Sequence, residues 1–349
     1  MRRSKPQGVR NSNIARGSRY ERSSVYSRSM KTISVRQICI PLWLATTLML
    51  APTPGRTQTL ATRDSSGRDS PVKTKSYVDD SLPEIQKAVP QLHGLQPDPN
   101  QDQLPVLLTK AGKVAGELLR KTPSLLSHEQ VEQASEMEDG KSSNSKILNG
   151  GRPRDFDYQI LFHEDPVNNR IKLEEYRIDP QGRPIEPGVE DPRNPGSLGF
   201  ANAWLLFLPP DQSQSKFRYL GRQQIDDQVT FVVAFAQNPG FVQVPAEVRF
   251  QGERIPVFWQ GIAWIEESTF RIVRLRSDLL DPIPSIYLQQ LTSQLQFENT
   301  NVSGVASPLW LPREVDITTK IKGQVVSEIH RYSNYRLYAV SSKIVPITP

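Results

Sequence analysis

The chain has 349 residues, of which 37% are hydrophobic and 8% aromatic, so it can bury a core and is not disordered throughout. Its net charge is +6, but residues 1–60 contain 11 Lys and Arg and a single acid, which leaves −4 on the remaining 289 residues. The folded part therefore lacks the excess of positive charge that binding to nucleic acid requires. One cysteine, Cys39, excludes a disulfide framework and a zinc site built from cysteines.

Residues 38–51 form an uncharged apolar stretch behind Lys31 and Arg36, the layout of a signal peptide within a leader of residues 1–59. The stretch is too short to span a bilayer core as a helix. Translation could instead begin at Met30, and cleavage is expected between Thr53 and Ala61. The alternative is a genuine tail at 1–29 with an uncleaved anchor at 38–51. Cleavage would leave a periplasmic or secreted protein without cysteine and without a stable transmembrane anchor.

The next residues predict a linker at 60–76 and a helical segment at 77–140. Ser81 and Glu84 flank Leu82-Pro83 as a helix start signal, and apolar residues at three- and four-residue steps from Leu104 to Leu119 predict an amphipathic helix that Pro123 ends. A capping pattern at Ser127 predicts a third, acidic helix that ends before Gly140. A second linker would cover residues 141–154.

From residue 155 the apolar period changes to two, which predicts a β-rich domain at 155–340 and a tail at 341–349. A short helix at 198–208, ended by Pro209-Pro210, and a proline-rich loop at 184–197 interrupt the strands. The turns Asp226-Asp227 and Lys322-Gly323 indicate antiparallel hairpins. Strands are predicted at 156–162, 170–178, 217–225, 229–237, 257–266, 270–278, 291–300, 314–321 and 325–338.

The strand at 229–236 is apolar on both faces, whereas one face of an antiparallel sheet is usually polar. We therefore expect helices to cover one face and the curl of the sheet, or a ligand, to cover the other. A well-filled barrel core without a ligand is the alternative. The candidates for lining a cavity are Val229, Phe231, Val233, Phe235, Trp264 and Phe270.

The order of the C-terminal half resembles that of a known group. A strand ending in Trp264-Ile265-Glu266, a Ser268-Thr269 turn, a return strand with Arg271 and the later step Leu311-Pro312 are similar to the LolA/LolB-like and RseB-like periplasmic lipoprotein carriers. The resemblance covers residues 155–340. It implies an α+β fold, with N-terminal helices and a strongly curved antiparallel meander, a half-barrel or open barrel, that leaves an apolar cavity for acyl chains.

The sequence contains no motif for catalysis or for a cofactor. Its four histidines do not pair at the spacing of a metal site, no phosphate loop or nucleophile elbow is present, and we expect no catalytic residue, metal or cofactor. The neighbours Glu174 and Glu175 would point to opposite faces of a strand and so could not share a proton. On the last strand, His330, Arg331 and Tyr335 are candidates for a surface strip.

Three functions remain open. The first is an exported, non-enzymatic domain that binds a lipid, an acyl chain or another amphiphile. The second is a structural or protein-interaction module of the cell envelope with a filled core, where the loop 184–197 or the acidic third helix would meet a protein partner. The third is a hydrolase whose residues are brought together only by the fold.

Overall fold

A computed structural model of the protein describes residues 76–121, 124–137, 146–147, 152–165, 170–185 and 199–338. All of them belong to one unit, Asp69–Pro349. The predicted leader, most of both linkers, most of the loop 184–197 and the tail lie outside the described residues. The division of the chain at these boundaries stays a prediction.

Two of the three predicted N-terminal helices are confirmed. Helix α1 covers Leu82–Ala88 and begins with the expected cap, in which the Ser81 amide donates to Glu84 at 2.8 Å. Helix α2 covers Leu104–Lys121 and ends at the residue before Thr122-Pro123. A 3-10 turn, Pro90–Leu92, lies between them.

The prediction of a third helix after Ser127 is wrong, because Leu125–Met137 is a strand of the main sheet. Its inward side chains alternate strictly with outward ones from Leu125 to Gln133. Several of the inward side chains are polar, so the period of two did not show as an alternation of apolar and polar residues. The capping pattern at Ser127 was accidental, since its hydroxyl is buried in the sheet.

The remaining helices are short. The helix expected at 198–208 is the 3-10 helix Ala201–Phe207. It ends before Pro209-Pro210, as expected. The two prolines also begin helix α3, Pro209–Gln212, because proline fits the first turn of a helix, where its missing N–H is not needed. A last 3-10 turn covers Pro284–Ile286.

The protein is α+β, as predicted, with one large open antiparallel sheet and a separate hairpin. The strands are β1 Gln96–Pro97, β2 Leu125–Met137, β3 Lys146–Ile147, β4 Arg154–Asp165, β5 Arg170–Ile178, β6 Pro184–Ile185, β7 Ser215–Ile225, β8 Gln228–Gln237, β9 Ala246–Phe250, β10 Glu253–Val257, β11 Trp259–Glu266, β12 Ile272–Leu279, β13 Leu288–Thr300, β14 Leu309–Ile321 and β15 Gln324–Leu337.

In the large sheet the strand order is β1-β7-β8-β11-β12-β13-β14-β15-β2-β4-β5-β6, with β3 beside β2. The hairpin turns at Asp226-Asp227 and Lys322-Gly323 are confirmed, and Asp226, Lys322 and Gly323 all have positive φ. The β9–β10 hairpin was not predicted, and it forms its own two-stranded sheet.

The large sheet is strongly curved, as its contacts with the 3-10 helix Ala201–Phe207 demonstrate. The first residue of this helix donates its amide to Glu175 on β5, and its last, Phe207, packs its ring 5.7 Å from Phe217 on β7. These strands are nine spacings apart, about 43 Å in a flat sheet. Seven 3-10 residues span about 14 Å. The sheet must therefore curl so that both contacts can form, and the face that holds this helix is its concave face.

Described helices cover both faces of this sheet, which corrects the expectation that they would cover only one. Helix α2 packs on the concave face. The segment Ser76–Leu95, which we call the strap, carries α1 and packs on the opposite, outer face against Val232, Ala234 and Trp264. Strand β1 then pairs with β7 at the sheet edge, where the chain passes from one face to the other.

Candidate ligand-binding face

Helix α2 lies against the concave face because one side of it is apolar and partly made of small residues. Leu107, Ala111 and Leu119 are buried there. A Cβ on Gly112 would come within 2.7 Å of the Phe207 carbonyl oxygen, so glycine lets the 3-10 helix approach closely. Gln212 joins the two elements, since its amide donates to the carbonyls of Leu108 and Phe207.

The apolar floor of the concave face contains three of the six cavity candidates. Phe231, Val233 and Phe235 on β8 are buried with α2 and the 3-10 helix in one cluster. The ring of Phe235 meets that of Phe207 at 5.8 Å in an edge-on arrangement. In the described residues this part of the floor is filled by α2 and the 3-10 helix.

Two further candidates lie at the rim of that floor. Phe270 is partly buried and stacks on Phe231 at 6.2 Å, and the Lys110 ammonium of α2 is 4.4 Å from its ring centre. Val229, at the start of β8, is 40% exposed. That these five residues touch a ligand stays a prediction.

The sixth candidate, Trp264, cannot line the same cavity, because it faces the other way. It is buried under the strap, and its indole N–H donates to Gln223 at 2.9 Å. A bulge between Trp264 and Ile265 changes the register at this point of β11.

At the other end of the concave face lies a buried group of charged side chains, which we call the inner cluster: Glu129, Arg177, Glu328 and His330. Arg177 holds Glu129 with two hydrogen bonds, its Nη2 lying 2.7 Å from Oε1. His330 stands between two carboxylates, with Nδ1 2.8 Å from Glu129 and Nε2 3.1 Å from Glu328. Three strands, β2, β5 and β15, thus meet through one network.

Neutral polar side chains complete the network. The Tyr332 hydroxyl donates to Glu129 at 2.9 Å, and the Gln133 amide donates to Glu328 at 2.7 Å. Register explains these contacts, because Glu129 lies directly opposite Tyr332, and Gln133 opposite Glu328, on neighbouring strands.

Burial and charge act in opposite directions on these groups. Burial alone would raise the pKa of Glu129, but the Arg177 guanidinium and His330 outweigh it and hold that pKa well below its ordinary value. Burial alone would lower the pKa of His330, but its hydrogen bonds to Glu129 and Glu328 raise it. These interactions favour the cationic form of His330, which stands between the carboxyl groups of Glu129 and Glu328.

A second contact fixes the start of the 3-10 helix beside this cluster. Glu175 accepts hydrogen bonds from the Tyr158 hydroxyl and from the Ala201 amide, the latter at 2.7 Å. The Phe200 ring packs on Tyr158 and Tyr332, with centres 5.1 and 4.8 Å away. Burial raises the pKa of Glu175.

The predicted surface strip is wrong for two of its three residues. His330 is fully buried in the inner cluster, and Tyr335 is buried with its hydroxyl donating to the Pro312 carbonyl at 2.7 Å. Only Arg331 is exposed, and it pairs with Glu132 and Glu314 on the outer face. The sequence placed all three on one strand, but alternation sends Arg331 to the face opposite His330.

Sequence reasoning missed most of the inner cluster. Glu129, Arg177 and Glu328 each appear in the sequence as charged residues in a polar stretch. The one usable signal was the pair Glu174 and Glu175, because neighbours on a strand point to opposite faces and one of the two carboxylates must point inward. The strand separates them as predicted. Glu174 pairs with the exposed Lys172, and Glu175 faces inward. Within the described ranges no group of His, Cys, Asp and Glu side chains is arranged to hold a metal ion.

No protein-family model matches the sequence, and no curated protein matches it. The 16 solved chains that are similar to this one include two that cover about two thirds of it. One is a domain of a putative outer membrane lipoprotein-sorting protein from Vibrio parahaemolyticus, with 11% identity, a TM-score of 0.31 and coverage of 66% of this chain and 92% of that one.

The other is a DUF1329 family protein from Desulfovibrio piger, with 12% identity, a TM-score of 0.33 and coverage of 67% and 95%. The first belongs to the class of protein that the sequence resembles. Both TM-scores are below 0.5, so neither likeness indicates a function for this chain. In the part of the chain that the structure describes, no helix combines the length and the apolar character needed to cross a membrane.

Proposed function

We propose that the protein is an exported, non-enzymatic carrier that binds an amphiphile with a long acyl chain on the concave face of its sheet. The observation that carries the proposal is the pairing, on one curved face, of an apolar floor with a buried polar network. The floor includes Phe231, Val233 and Phe235, and the network is the inner cluster.

The two elements that cover this face could shift relative to the sheet. The floor is covered by α2 and the 3-10 helix Ala201–Phe207, which lie inside the curl and form none of its ladder hydrogen bonds. A shift of either element would expose apolar side chains without breaking the sheet. An acyl chain in their place would gain about 25 cal/mol for each Å² of apolar surface that it buries.

The inner cluster is better suited to fixing strands than to catalysis. Its carboxylates and its imidazole are paired with one another, and burial holds them at 0–4% exposure. A general base needs a reachable proton acceptor. We therefore place the protein among binding proteins, with a hydrolase as the least supported alternative.

The test is isolation of the processed protein from the periplasm of its host, followed by native mass spectrometry and organic extraction. We expect an acyl-chain compound to co-purify. Delipidated protein should then bind cis-parinaric acid, and Phe270→Ala at the rim should weaken that binding about tenfold, while the exposed control Tyr287→Ala should not change it.

An empty protein whose Tm does not respond to fatty acids or phospholipids would overturn this function. It would favour the second candidate, an envelope module with a filled core. That alternative is supported by the complete burial of Val233 and Phe235.

A further inference from the structure

The register of the sheet places a mostly polar row of side chains across the concave face. Directly paired residues on β12, β13, β14, β15 and β2 are Ser277, Ser293, Ile317, Glu328 and Gln133. The buried Ile317 separates the two serines from Glu328 and Gln133. Alternation puts this row on the same face as Leu275 and Leu295 of the apolar floor. We call it the polar row.

Apolar side chains lie on both sides of the polar row. The next row towards α2 contains Leu275, Leu295 and Val315. On the other side, Leu279 and Leu288 pack with Val248 and Val257 of the β9–β10 hairpin. The row thus lies between two covers, with α2 on one side and the hairpin on the other. Ser293 is partly exposed, although it stands on a central strand.

One hydroxyl in the row has no partner among the described residues. Ser277 is 7% exposed, and no side chain or backbone group in the described ranges forms a hydrogen bond with its buried Oγ. A buried hydroxyl without a partner costs free energy. Its neighbour across the ladder is Gly261, whose missing side chain leaves room for the Phe235 ring. The hydroxyl therefore lies at the boundary between the apolar floor and the polar row.

The charged groups beside the serines are already paired with one another. His330 lies between Glu129 and Glu328, and Arg177 holds Glu129. A charged head group would find no excess of opposite charge here, and an anionic one would lie beside the Glu328 carboxylate. A neutral group with hydroxyls can donate to and accept from serine hydroxyls.

We propose that the polar row is the head-group subsite of this face, and that it takes a neutral, hydroxyl-bearing head such as the glycerol of a monoacylglycerol. This inference rests on the proposed function, because it assumes that the acyl chain occupies the floor. Ser277 and Ser293 hydrogen-bond the head, and Phe235 contacts the first carbons of the chain.

The test compares three ligands of equal chain length on the delipidated full-length protein: mono-oleoylglycerol, methyl oleate and oleate. We expect mono-oleoylglycerol to bind about tenfold more tightly than methyl oleate. Ser277→Ala with Ser293→Ala should remove most of that preference and leave the affinity for methyl oleate unchanged. The control is Ser327→Ala, on the outer face of β15 beside Glu328.

The outcomes separate the two proposals. If mono-oleoylglycerol and methyl oleate bind equally and the serine variants change nothing, or if oleate binds best, the head-group subsite is wrong and the carrier function stands. If none of the three ligands binds, both the carrier function and the head-group subsite are wrong. The Ser277→Ala variant should keep or raise its Tm, since the buried hydroxyl that it removes has no hydrogen-bond partner in the described part of the chain.

Discussion

The two faces of the sheet each bury an ion pair, and the pairs are built differently. On the concave face the inner cluster joins Glu129 of β2 to Arg177 of β5 and to β15, with side chains 0–4% exposed. On the outer face Arg276 and Asp278 are neighbours on one strand, at 2.7 Å and about 10% exposed.

The strap completes the outer pair. Asp278 also accepts from the Tyr77 hydroxyl at 3.1 Å and from Thr292 at 2.6 Å, and Arg276 reaches Gln91 at 3.2 Å. We call Tyr77, Gln91, Arg276, Asp278 and Thr292 the outer cluster. The inner cluster closes contacts between distant strands, whereas the outer cluster is a local pair to which a peripheral segment attaches. Replacing one member should therefore lower the free energy of unfolding more in the inner cluster than in the outer cluster.

The largest effect is expected for Arg177→Met. It leaves the Glu129 carboxylate buried without its cation, and loss of one partner of a buried ion pair costs about 3–5 kcal/mol. Denaturant unfolding measures the change in the free energy of unfolding. The matched control is Arg331→Met, whose exposed ion pairs should contribute less than about 1 kcal/mol. Equal losses for both variants would contradict the comparison.

The next effect is a pH dependence that belongs to the inner cluster. The pKa of His330 is raised in the folded protein, so the proton stabilises the fold fully below the ordinary histidine value of about 6.5. That contribution is lost as the pH rises through the higher folded value. The free energy of unfolding should fall with rising pH in this window, by at most about 1.4 kcal/mol per pH unit for one proton.

His330→Gln should flatten this slope, which a series of unfolding titrations at different pH values would reveal. The exposed control His128→Gln should keep it. Glu175 acts in the same sense, because burial raises its pKa, but its contribution begins to be lost at the ordinary glutamate value of about 4.3, below the histidine window. An unchanged slope in His330→Gln would mean that the imidazole is not the group that titrates.

The smallest effect is expected in the outer cluster. Tyr77→Phe removes one hydrogen bond to Asp278 and leaves Arg276 in place, so the free energy of unfolding should fall by about 1 kcal/mol. Tyr176→Phe is the exposed control, with its hydroxyl on Glu174 at 2.9 Å. A loss as large as that of Arg177→Met would show that the strap is as integral to the fold as the inner strands.

Local signals predicted much of the fold. Helix α2 follows from its apolar spacing and strand β8 from its apolar run, and the turn at Lys322-Gly323 follows from glycine's access to positive φ. Strand β2 did not follow, because Ser127, Glu129 and Gln133 occupy its inward face. Their burial is stable only beside Tyr158, Arg177 and Glu328, which come from other parts of the chain.

The candidate site divides in the same way. Five of the six cavity candidates lie on or at the rim of the concave face. An apolar run predicts them, because the free energy gained on burial is roughly proportional to the apolar area removed from water. Trp264 and His330 were misplaced, since the alternation of each strand and its register with its neighbours decide which face a side chain takes.

By itself, the sequence determined the helical start, the β-rich remainder, the hairpin turns and the apolar strand of the floor, because each depends on residues close together in the chain. Only the tertiary structure decided which charges are buried and which face each strand presents. Register and curvature bring Glu129, Arg177, Glu328 and His330 within hydrogen-bonding distance, and a charge is stable in the interior only when its partners arrive from elsewhere.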